Sequence, residues 1–116
     1  MSLREEREAI GALLGGHPSI PERVTPPTTV LQAGSPYLTP GSTYGRFLAR
    51  WEALVIGRPG ASPKVQDDLD DAADDAVVAL VNDGLTVESV SQPYRLVINQ
   101  AHYPTVQITF TKEIDL

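Results

Sequence analysis

The chain contains no cysteine. That excludes a disulfide scaffold, a thiolate zinc site and a cysteine nucleophile. Basic residues are also scarce, nine Lys and Arg against fifteen Asp and Glu, and they are scattered. A clamp on a nucleic-acid backbone needs them clustered. No apolar run approaches the length of a membrane span, so no membrane association is expected. Met1 to Gly16 mixes charge with short apolar steps and does not read as a signal peptide. The nucleophile elbow, the phosphate-binding loop and the dinucleotide fingerprint are all missing. Nothing here points to an enzyme or to a cofactor.

One segment concentrates the charge. From Lys64 to Gly84 the chain carries one lysine and seven aspartates: Asp67, Asp68, Asp70, Asp71, Asp74, Asp75 and Asp83. The segment sums to −6, the formal charge of all 116 residues. Ser62 is a suitable N-cap and Pro63 suits the first helical position. Val65, Leu69, Ala72, Ala73, Ala76, Val77 and Leu80 then form an apolar stripe at helical spacing, with six of the aspartates on the opposite arc. Gly84 supplies the stop. Asp67–Asp71 matches the DDxxD pattern that holds magnesium and diphosphate in isoprenoid synthases, and carboxylate oxygens do suit hard cations. Those sites line large all-helical cavities, however, and this chain is short and half strand. No glycine breaks the run as a Ca²⁺ loop requires. A solvated helix face is the better reading, and no metal site is assigned. His17 and His102 lack further ligands at zinc-like spacing on their own elements.

The other elements follow from periodicity and punctuation. Ser2 with Glu5 forms a capping box, and Leu3, Ile10 and Leu14 with neighbouring Leu13 mark a helix over residues 2–15. Four prolines make residues 17–27 an extended connector. Thr28–Ala33 reads as a short strand and Gly34–Thr43 as a long loop, a kind usually functional or mobile. Residues 44–56 read as a strand with two unlike faces. Phe47, Ala49, Trp51, Ala53 and Val55 form one, with Trp51 expected in the core. Arg46, Leu48, Arg50, Glu52, Leu54 and Ile56 form the other. This pattern predicts cover on one side throughout and on the second side only near the end. Gly57–Ala61 is a turn. Val87–Asn99 is a strand pair or one bent strand, with Pro93 demanding a bulge or an edge. Gln100–Tyr103 turns the chain into a last strand through Val106, Ile108 and Phe110. The expected fold is one α+β domain over 1–116, in the order α-β-β-α-β-β, with a small, mainly antiparallel sheet packed by two helices.

The passage from Val24 to Leu38 (VTPPTTVLQAGSPYL) resembles a recurring stretch in tail terminator proteins of long-tailed, siphovirus-type bacteriophages, especially those of actinobacterial hosts. In both, a Pro-Pro pair leads into a strand, then a Gly-x-Pro-Tyr turn, then a long second strand. The Pro-started helix, the bent strand carrying a proline and the Tyr-Pro entry to a Thr-rich last strand also fit. The resemblance implies a structural protein of the virion that forms a homo-oligomeric ring, expected to be a hexamer. Such a ring caps the head-proximal end of the tail tube, stops polymerisation of the tube protein and receives a head–tail connector or stopper. DNA would pass through it unread. The acidic helix would repel its neighbours in such a ring, which moves the expected contacts to residues 24–56. Pro36, Tyr37 and Leu38 in the loop and Arg46, Arg50 and Glu52 on the strand are the candidate interface residues.

Overall fold

A computed structural model describes residues 2–21, 23–41, 45–60 and 62–115. Parts of the expected connector at 22, of the loop and strand at 42–44 and of the turn at 61 lie outside these. The elements are α1 (Leu3–Leu13), β1 (Thr28–Pro40), β2 (Arg46–Ile56), α2 (Pro63–Asn82), β3 (Thr86–Val90), β4 (Tyr94–Ile98) and β5 (Ala101–Asp115). The fold is α+β, with a five-stranded antiparallel sheet and two helices, close to the expected order. Val87–Asn99 falls in two strands, β3 and β4, that follow one another along the same side of β5 without pairing to each other, with Pro93 in the link between them. Three strands therefore follow α2.

Strand β5 is the axis of the sheet. One side pairs with β2 from Thr105 to Asp115. The other side pairs with β4 over Ala101–Thr105 and then with β3 over Ile108–Thr111. On the far side of β2 lies β1, the opposite edge. The long strands stretch the molecule to 49 × 26 × 21 Å.

Both helices lie on one side of the sheet. α2 crosses β2, β5 and β3, and α1 leans on β1. Leu69, Ala73, Ala76 and Leu80 of α2 are buried, as the apolar stripe predicts, against Ala49, Trp51, Ala53 and Val55 of β2 and Val106, Ile108 and Phe110 of β5. Ser62 Oγ accepts the Val65 amide at 3.3 Å, and Gly84 takes the left-handed φ of 86° that ends the helix. All seven aspartates are exposed. Lys64 pairs with Asp68 one turn on, at 3.5 Å, and Gln66 donates to Asp70 at 3.0 Å.

Three expectations need correction. The segment from Gly34 is not a loop: β1 continues to Pro40. Its ladder is interrupted between Ala33, opposite Trp51, and Leu38, opposite Ala49, so four β1 residues face Arg50 alone. Pro36 falls in that interruption, where its missing N–H breaks no ladder bond. The last turn is also shorter than Gln100–Tyr103. Asn99 and Gln100, with φ of 50° and 68°, close a two-residue hairpin, whose tight loops require positive φ at both positions. Finally, the first helix is shorter than residues 2–15, ending at Leu13, and it buries Glu6 beside Ile10 while Leu13 is exposed. Glu6 is tolerated in the core because Lys112 Nζ of β5 donates to its Oε2 at 2.7 Å.

Candidate functional site: the open sheet face

Among the described residues no helix covers the other side of the sheet. Its rows run Gln32–Glu52–Thr109–Ser89 and Arg50–Thr111–Thr86, polar from edge to edge. At one end the surface becomes apolar. There Val30, Leu54 and Ile56 are buried beneath Val24 of the connector and Leu96, Ile98 and Tyr103 of the β4–β5 hairpin. The alternation along β2 predicts this change, and the structure supplies the cover.

The candidate side chains are largely engaged within the chain. Arg50 donates through Nη2 and Nε to Glu88 Oε1 at 2.8 and 3.0 Å, reaching over β5 to the bulge of β3. Its Nη1 donates to the Pro36 carbonyl at 3.3 Å. Arg50 thus spans from the interrupted part of β1 to the far edge strand. A Cβ on Gly34 would overlap Arg50 Cγ, so the glycine lets the arginine stem lie flat. Gln32 Nε2 donates to Glu52 Oε1 at 2.6 Å. Arg46 Nε contacts Asp115 at 3.0 Å and Glu113 at 3.9 Å. Tyr94 titrates above the ordinary tyrosine value of 10.0 because it is partly desolvated and, secondarily, because Glu52 opposes a phenolate.

Tyr37 and Leu38 stand elsewhere. Both pack against the helix-side core. Tyr37 meets Trp51 edge-on with ring centroids 6.0 Å apart, and Trp51 stacks on Phe110 at 6.2 Å. The structure therefore gathers Pro36, Arg50 and Glu52 towards one surface, leaves Arg46 at its end, and turns Tyr37 and Leu38 to the other side. Truncating Tyr37 and Leu38 together would therefore remove core contacts and cost stability. Glu88 and Gln32 were missed by sequence reasoning. Glu88 is the one carboxylate in an otherwise uncharged stretch from Leu85 to Tyr94, and that isolation was the available signal.

No protein-family model and no curated protein matches the chain. Among the described residues no group of three His, Asp or Glu could hold a metal ion, and no helix is long and apolar enough to cross a membrane. His17 uses its backbone. Its N–H donates to the Thr29 carbonyl at 2.8 Å and its carbonyl accepts from the Leu31 amide at 3.1 Å, tying the end of α1 to the β1 edge. His102 is exposed on the hairpin.

What this surface can do is present a neutralised polar plane. Arg46 and Arg50 each have a carboxylate partner, and Glu52 has an amide donor. Such a plane can face water, a protein or a polyanion without gripping any of them strongly, since exposed ion pairs contribute only about 0–1 kcal/mol.

Proposed function

We propose that the chain is a structural assembly protein, a phage tail terminator acting as a homo-oligomeric ring on the head-proximal end of the tail tube. The observation that carries this reading is the open sheet face. It is broad, polar and charge-compensated, and it is built on a sheet made rigid from behind by two helices. A conduit wall needs those properties, because free arginines there would hold DNA and slow its passage. The passage that resembles terminators, Val24–Leu38, forms the β1 edge and part of the cover of this face, where contacts to other subunits are accessible. The expected site of action is the virion, at the joint between tail tube and head–tail connector or stopper.

Electron microscopy of the purified protein mixed with its cognate tail tubes tests the reading, together with mass measurement of the free and tube-bound protein. Tubes capped at one end by a ring support it. Uncapped tubes, with the protein bound to the head portal instead, would assign it to the stopper or connector class.

A further inference from the structure

The β4–β5 hairpin projects past the last pairing of β5 with β2, at Thr105–Ile56. Its inner side is committed to Val30, Leu54 and Ile56. Its outer side is not. Arg95, Val97 and His102 lie together there, because Arg95 and Val97 are two apart on one strand and Val97 pairs with His102. All three are exposed, Val97 by 56%. The hairpin carries no carboxylate: none occurs between Glu88 and Glu113.

At the opposite edge of the sheet there is a complementary surface. A groove of about 430 Å³ opens between the end of α1 and the flank of α2, walled by Leu13, Leu14, Ala72, Asp75, Ala76 and Ala79. Ala79 continues the α2 wall one turn beyond Asp75, and Leu13, 37% exposed, stands on the α1 side of the groove. Asp75 lines the groove and Asp71 stands one turn before it, so the α2 wall carries negative charge. A chain cannot fill its own groove with its own hairpin. The groove floor is Pro27–Thr29 and Val55–Ile56, at β1 and β2, whereas β4 lies beyond β5, two or more strand spacings of roughly 4.8 Å away, and is held there by its ladder with β5.

We infer that the hairpin of one copy docks into the α1–α2 groove of the next. Val97 enters the slot between Leu13 and Ala79, and Arg95 lies against Asp75. The inference rests on the ring reading and names its contact. Because the two surfaces sit on opposite edges, the contact is head-to-tail and repeats around a ring instead of closing as a dimer. It also gives the acidic helix a role opposite to the expected one: its groove-side flank attracts a neighbour.

The lack of native cysteine makes the test direct. Val97→Cys and Ala79→Cys are introduced together in the full chain. They are also introduced singly, and all variants are oxidised free and with tail tube present. The double variant is expected to give a ladder of disulfide-linked oligomers on a non-reducing gel, and each single variant to stay monomeric. Dimers from Val97→Cys alone, marking hairpin against hairpin, would overturn the contact, as would the absence of a ladder under both conditions. Arg95→Asp and Asp75→Arg should each weaken assembly by about tenfold or more, and together restore it. Failure of the swap to rescue also counts against the contact. A ring of defined mass without the ladder sinks this contact and leaves the ring reading standing. A ladder that grows without closing keeps the contact and sinks the ring.

Discussion

Strand β2 belongs to two different environments at once. Its odd-numbered residues, Ala49, Trp51, Ala53 and Val55, are all buried under the helices. Its even-numbered residues pass from Arg46 and Arg50 in ion pairs, through Glu52 on a glutamine, to Leu54 and Ile56 beneath the hairpin. The first face holds the molecule together by removing apolar area from water. The second spends its length on paired charge, which stabilises weakly and is screened by salt. A surface kept polar on a sheet already stabilised from behind is free to serve contacts with other molecules.

Trp51→Ala should give the largest effect, about 3–5 kcal/mol lost in denaturant unfolding, since the indole is fully buried between Tyr37 and Phe110. Trp51→Phe should lose much less. It keeps the ring and removes an indole N–H that finds no acceptor among the described residues. If the two losses are equal, the helix face is held by something other than ring packing. Lys112→Met should lose about 1–3 kcal/mol by stranding the buried Glu6, and adding Glu6→Leu should recover most of it.

On the open face, Gly34→Ala should lose about 1–3 kcal/mol in the wild-type chain and clearly less beside Arg50→Ala, because the clash is with the arginine stem. A strictly additive pair would show that Gly34 serves the backbone and not Arg50. Arg50→Ala alone should cost about 1 kcal/mol or less, with the difference shrinking in high salt. The smallest expected effect is from Tyr94. Its folded-state titration lies above 10.0, so its contribution is complete below pH 10 and is lost as pH rises through the folded value. Alkaline unfolding curves of Tyr94→Phe should lack that decline. Tyrosinate absorbance should show one group titrating late, and slightly less late in Glu52→Gln.

Much of the helix-side core was legible in the chain. The stripe of α2 and the alternation of β2 each name their buried residues, because local periodicity fixes which side chains share a face. The candidate site was legible only in part. Arg50 and Glu52 could be placed on one face, but their partners Glu88 and Gln32 stand thirty-eight and twenty residues away. Pro36 and Pro40 suggested a loop, since a proline-containing segment loses strand signal even at an edge where the missing N–H does no harm. Burial of Glu6 depends on Lys112, 106 residues later, so no local pattern could show it.

By itself, then, the sequence determined the α+β class, the acidic exposed helix, the two unlike faces of β2 and the absence of thiol chemistry. These depend on composition and on spacings of two to four residues. Only the tertiary structure decided that the β4–β5 hairpin covers the apolar end of the open face, that Tyr37 turns inward onto Trp51, and that Arg95 on the hairpin stands apart from the groove walled by Asp75. Those are long-range pairings. Nothing in local periodicity encodes which strand lies beside which, so the surfaces the protein offers to others emerge only when β5 takes its place in the middle of the sheet.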